Sequence, residues 1–329
     1  MFKGRKISRT HFFLVVIIVF QLIMTWGMDH WQMKVSVPMA LLLSQLTIIL
    51  PFIIYCLVEK QNPLKLIRFK KIRPISIFFS FIIALFSYPV VIFLNMISML
   101  FVENAMTDVM PAVLEMGLLP GLLFMALMPA VVEETIFRGM LYNQYAKYRP
   151  VAGIILSAVL FGLMHMNFNQ MPYAIYLGII MALLLEVTDS IIAPMVIHFT
   201  MNASSTILVF LSQGMLEMTG ETQNTDLISS FKESFQMTME QTGVELSAQE
   251  LEGMFPIFLV GILLGAAFMA GVALILVFVL INALARINGR PLKTILKKKE
   301  TEERVRFVDI WLILFVIYTL YQCIVSIGI

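Results

Sequence analysis

Nine runs of apolar residues, most of them long enough to cross a lipid bilayer, divide this sequence: 12–28, 35–58, 75–101, 117–137, 151–168, 172–187, 190–213, 255–284 and 307–328. A hydrocarbon core of about 30 Å takes about 20 apolar residues in a helix, so each run reads as one crossing. The runs are continuously apolar rather than alternating, which selects helices over a barrel. The sixth is short and poorly separated from its neighbours. The fold class is therefore all-α: a polytopic membrane helix bundle of about eight or nine transmembrane helices. Composition agrees, since 13% of residues are charged against about 25% in ordinary soluble domains.

Cation placement orients the bundle, because loops left in the cytoplasm keep an excess of Lys and Arg. With a cytoplasmic N-terminus and nine crossings, the inside segments are 1–11, 59–74, 138–150, the 188–189 turn and 285–306. They hold 21 of the 23 Lys and Arg, leaving Lys34 and Lys232 for the outside. Met1 to Arg9 and the run after them resemble a signal peptide, but bulky residues from Trp26 to Trp31 follow, with no small-residue cleavage site. An uncleaved anchor is expected. A net charge of +2 gives no sign of a nucleic-acid partner; membrane lipids are the expected surroundings.

Four regions follow. Residues 1–114 are N-terminal crossings containing a basic segment, 59–74, in which Leu64, Leu66, Ile67 and Phe69 mix with six cations. That is the pattern of a helix lying on an anionic leaflet, and equally of a solvated basic loop. Residues 115–213 carry the polar residues described next. Residues 214–254 form an acidic extracytoplasmic loop with eight carboxylates against Lys232. Residues 255–329 are C-terminal crossings joined by a basic cytoplasmic loop. Cys56 and Cys323 fall inside apolar runs and read as packing residues.

Ionisable side chains in lipid are costly and call for a functional hypothesis. Glu133, Glu134 and Arg138 lie on the fourth run, His165 in the fifth, His198 and Asn202 in the seventh. At 1.5 Å of rise per residue, Glu133 lies about 18 Å from the cytoplasmic end, His165 about 21 Å, and His198 and Asn202 about 12 and 18 Å. All four fall in one layer. Glu133 and Glu134 point about 100° apart, so only one faces a given cavity. Glu134 and Arg138 have the i,i+4 spacing of an ion pair, which would leave Glu133 free for chemistry. His198 and Asn202 share a helix face, as do Phe161 and His165.

The stretches EETIFRG, FGLMH and HFTMN resemble the three ordered signatures of the CAAX-protease and bacteriocin-processing intramembrane peptidases, E-E-x-x-x-R, F-x-x-x-H and H-x-x-x-N. The resemblance covers roughly residues 115–205. It implies an intramembrane endopeptidase acting on a membrane-associated, in some members lipidated, protein or peptide. Glu133 would be the general base, with His165 holding the same water. His198 and Asn202 would donate to the oxyanion, with Glu134, Arg138 and Phe161 in support. No cofactor is required for this. A zinc-dependent variant would use Glu133, His165 and His198 as ligands around an open fourth position.

Other readings compete. His and Asn side chains also serve as interhelical hydrogen-bond glue in membrane bundles. A non-catalytic scaffold or immunity protein would keep the motif for stability and dock a partner on the acidic loop. A proton-coupled transporter also buries carboxylates and histidines, but usually shows paired half-repeats, and none is visible here. His11 and His30 lie at membrane borders and are expected to pack there. Glu186 and Asp189 are expected to be solvated turn residues.

Overall fold

The computed structural model describes residues 5–104, 109–219, 227–241, 248–297 and 307–327. Lys3, Lys298, Lys299, Arg304 and Arg306 of the basic segments, and 220–226 and 242–247 of the acidic one, lie outside them. The fold is 84% helix, with no strand among the described residues. In chain order the helices are α1 (Arg5–His30), α2 (Val37–Val58), α3 (Pro63–Leu66), α4 (Pro74–Met99), α5 (Met110–Met116), α6 (Leu118–Ala146) and α7 (Pro150–Met164). α8 (Met171–Thr188), α9 (Ile192–Thr219), α10 (Leu227–Gln241), α11 (Ala248–Ile287), α12 (Leu292–Leu296) and α13 (Ile310–Val325) follow. Proline stands in the first turn of six of the first eight, where its missing N–H costs nothing.

Seven helices (α1, α2, α4, α6, α8, α9 and α11) are long and apolar enough to cross a membrane; α7 and α13 are apolar but shorter. The bundle is thus a multi-pass membrane protein whose nine apolar helices correspond to the nine runs. Several boundaries move; the first run lengthens to Arg5–His30 and the seventh to Ile192–Thr219. The fourth run continues past 137 to Ala146, because Arg138 finds partners inside the bundle rather than in water. The eighth extends to Ala248–Ile287. The fifth, expected to reach 168, stops at Met164; His165 caps it, and Met166 takes a left-handed conformation (φ 54°). At about 1.5 Å per residue, the 15 residues of α7 span only about 22 Å, short of a bilayer core. Asn167 closes the turn to α8, donating to the His165 carbonyl (2.7 Å) and accepting from the Gln170 N–H (2.8 Å). Non-helical backbone is tolerated at such depth only where protein or a cavity supplies its hydrogen bonds.

α6 is not a uniform α-helix. Leu122–Leu127 and Thr135–Tyr142 are wound as π-helix, flanking an α-helical segment Met128–Glu134. Pro129 accounts for the first: it has no N–H for the carbonyl of Met125, and its ring would crowd that carbonyl in a regular α-turn.

The inside segments of the sequence meet at one end of the bundle. Arg9 pairs with Glu59. Arg73 donates to the Ile287 carbonyl at 2.6 Å. Arg68 reaches Glu186 at 2.6 Å and Asp189 at 3.5 Å, Lys70 pairs with Asp189, and Arg290 lies 3.7 and 3.6 Å from the same two carboxylates. Glu186 is buried, so it is not the solvated turn residue the sequence suggested. The 59–74 segment is accordingly not one surface helix. Only Pro63–Leu66 is helical, and Leu66 and Ile67 are buried beneath the charge cluster. His11 is buried as well, bridging Asp309 (2.9 Å) and the Tyr145 hydroxyl (2.6 Å).

Candidate active site

The site is assembled where α6, α7 and α9 meet. Arg138 is fully buried, one turn after the fully buried Glu134; its Nη1 donates to Glu134 Oε1 at 2.9 Å. The same oxygen accepts from His198 Nδ1 on α9, also at 2.9 Å. One carboxylate oxygen therefore joins two helices. The Arg138 guanidinium carbon lies 4.4 Å from the Phe161 ring centre, so its charge is met by a carboxylate and by an aromatic face of α7. Packing permits the approach because residue 178 is glycine: a Cβ there would stand 2.8 Å from Ala158 and 3.1 Å from Arg138 Nη2.

Phe161 also sets the histidines. Its ring meets His165 edge-on at 5.0 Å and His198 at 5.8 Å, and its carbonyl accepts from His165 Nδ1 at 2.9 Å. A carbonyl can only accept, so Nδ1 carries the proton and a neutral His165 presents Nε2 as a lone pair. His198 is fixed by the same logic. With Nδ1–H directed to Glu134, its Nε2 is the atom turned toward Glu133, with Oε2 at 3.9 Å. That separation is too long for a hydrogen bond and short enough for one water to bridge. The Glu133 side chain remains 19% exposed where that of Glu134 is sealed. His165 is within electrostatic reach of Glu133, His198 and Arg138.

Asn202 sits one turn beyond His198. Its Nδ2 donates at 3.1 Å to the Met125 carbonyl, to which Pro129 offers no N–H. One of its two amide hydrogens is thus committed to α6. The structure therefore brings Glu133, Glu134, Arg138, Phe161, His165 and His198 into one connected group, with Asn202 attached through Met125. The sequence did not reveal the Met125 tie, although Pro129 four residues before Glu133 was its signal. Among the described residues, no group of three or more His, Cys, Asp or Glu side chains is placed to hold a metal ion.

Residues 115–204 match the family model of the Rce1-like proteins, type II CAAX prenyl endopeptidases. All seven residues above lie within the matched stretch. At family level this supports a CAAX-type intramembrane protease. No curated protein and no solved structure matches the chain.

Proposed function

We propose that this chain is an intramembrane endopeptidase that hydrolyses a peptide bond in a membrane-associated protein or peptide of CAAX type, with Glu133 as the general base. The observation that supports this most is the division of labour between adjacent glutamates. Glu134 is sealed and spent on Arg138 and His198, while Glu133 stays partly open opposite a histidine nitrogen.

In this reading a water lies between Glu133 and the His165 Nε2 lone pair. Glu133 takes one proton as the water oxygen attacks the scissile carbonyl carbon. The resulting oxyanion is met by the second Asn202 N–H and by His198 Nε2–H, which donates when the ring is protonated. Collapse re-forms the carbonyl and breaks the C–N bond, and Glu133 returns its proton to the leaving amine. Water and these side chains balance the reaction without a metal.

The basic end faces the cytoplasm under the positive-inside rule. That puts the N-terminus inside and the acidic segment 214–254 outside, and it brings substrate tails in from the cytoplasmic half.

Proteolysis is tested by incubating the purified chain, reconstituted in bilayers, with farnesylated CAAX-type peptides and identifying new termini by mass spectrometry. Cleavage by wild type and none by Glu133→Gln at equal folded protein supports the enzyme. In cells, a wild-type phenotype retained by Glu133→Gln would instead establish a scaffold. Inhibition by chelators restored by zinc alone would replace the metal-free mechanism.

A further inference from the structure

At the basic end, past the π-helical turns that follow Glu133 on α6, lies a cavity of about 400 Å³ lined by Gln61, Asn62, Lys65, Leu66, Arg68, Asn143 and Lys147. No carboxylate lines it. Its wall is built rather than accidental. Asn143 donates to the carbonyls of Leu66 and Gly139, both at 2.9 Å, which clamps the 61–68 turn onto α6. Asn62 Oδ1 caps α3 by accepting from the Lys65 N–H at 3.1 Å.

The three cations are unequally compensated. Arg68 is held by Glu186 and Asp189. Lys65 has no carboxylate within 4 Å among the described residues, and Lys147 has only the neutral Gln144 amide oxygen, at 2.9 Å. Partial burial lowers the pKa of Lys147, and the charges of Lys6 and Arg68 lower it further. Two ammonium groups thus share a recess that supplies no anion.

The chain on either side of these lining residues carries exposed apolar side chains. Leu64 and Phe69 are 56% and 53% exposed, and Leu57 and Val58 at the end of α2 are 72% and 62% exposed. Cations in the cavity beside outward-facing apolar side chains suit an amphiphile with an anionic head. A volume of about 400 Å³ is within the range of small-ligand sites, and basic pockets of this kind recognise phosphate headgroups.

We propose that this cavity binds the phosphate headgroup of an anionic phospholipid, held by Lys65 and Lys147 with Arg68 behind them and with its acyl chains over Leu57, Leu64 and Phe69. The bound lipid would staple the 61–68 turn to the C-terminal end of α6, the helix that carries both glutamates. The site does not depend on the protein being a protease.

The test uses the full chain in nanodiscs of pure phosphatidylcholine or of phosphatidylcholine mixed with phosphatidylglycerol, read by thermal unfolding and by native mass spectrometry of retained lipid. Wild type should unfold at higher temperature in the mixed discs and retain phosphatidylglycerol. Lys65→Gln/Lys147→Gln should lose both effects, with about 30-fold weaker retention at about fivefold per cation. Lys65→Arg/Lys147→Arg should keep them. Neither lysine is in an ion pair among the described residues, so unfolding of the Gln variant in pure phosphatidylcholine should equal that of wild type and show that the fold is intact. Stabilisation by millimolar inorganic phosphate in pure phosphatidylcholine would assign the site to free phosphate instead of lipid. Equal responses of wild type and the Gln variant to phosphatidylglycerol would overturn the proposal.

Discussion

His198 Nδ1 and Glu134 Oε1 stand 2.9 Å apart across the α6–α9 interface, on the same oxygen that Arg138 holds from below. The two adjacent glutamates should therefore fail in different ways. Glu134→Gln would leave a fully buried guanidinium without its counter-charge, costing about 3–5 kcal/mol. Glu133→Gln removes no hydrogen bond, so unfolding should shift by less than about 0.5 kcal/mol while cleavage falls at least about a hundredfold. Thermal unfolding in detergent beside peptide cleavage separates the two. Equal destabilisation by both variants would contradict this assignment.

Gly178 sets how closely α8 approaches α7 and Arg138. A methyl at 2.8 Å from Ala158 must push the two helices apart and disturb the guanidinium 3.1 Å away. Gly178→Ala should cost about 1–3 kcal/mol, in the range of overpacked cores. Activity should fall although no polar group changes. A melting temperature equal to wild type would show that the crossing has more slack than its distances imply.

How much of this could be read in the sequence depended on range. The nine helices were legible because apolar length is a local property, and the Glu134–Arg138 pair was legible because i,i+4 neighbours are fixed by helix geometry. The end of α7 at Met164 was not, since Met166 and Phe168 carry the apolar pattern on past His165 and Asn167, and the helix is broken by the left-handed turn at Met166 that Asn167 closes. The burial of Glu186 was hidden for another reason. Its partners Arg68 and Arg290 are 118 and 104 residues away, and no spacing rule connects them. His11 packs at the border as expected, but which groups it meets was equally hidden, Tyr145 and Asp309 being 134 and 298 residues distant.

The charge cluster at the basic end carries a pH signature. Burial by itself would raise the pKa of Asp189, but Lys70, Arg290 and Arg68 outweigh it and hold the carboxyl below its usual 3.8. A depressed carboxylate contributes stability that is complete above its unfolded pKa and is lost as pH falls through the folded one. The stability gap between wild type and Asp189→Asn should therefore be constant above about pH 5 and shrink below about pH 4. Denaturant unfolding of both proteins across pH 3–7 reads this directly. A gap that widens on acidification would mean the carboxyl is not held ionised by these cations.

Asn202 carries two duties that one pair of substitutions can separate. Its amide satisfies the Met125 carbonyl, which lacks an α-helical donor because residue 129 is proline. The same amide has a second N–H free for an oxyanion. Asn202→Ala should lose about 1 kcal/mol from the missing hydrogen bond to that carbonyl and about tenfold or more in cleavage from the missing donor. Pro129→Ala restores an N–H four residues after Met125 and lets α6 close its own hydrogen bond. In the Asn202→Ala background, Pro129→Ala should recover most of the lost stability and none of the lost rate. Recovery of both would reduce Asn202 to a structural tie. Recovery of neither would show that the bend at Pro129, rather than the Met125 carbonyl, is what the site requires.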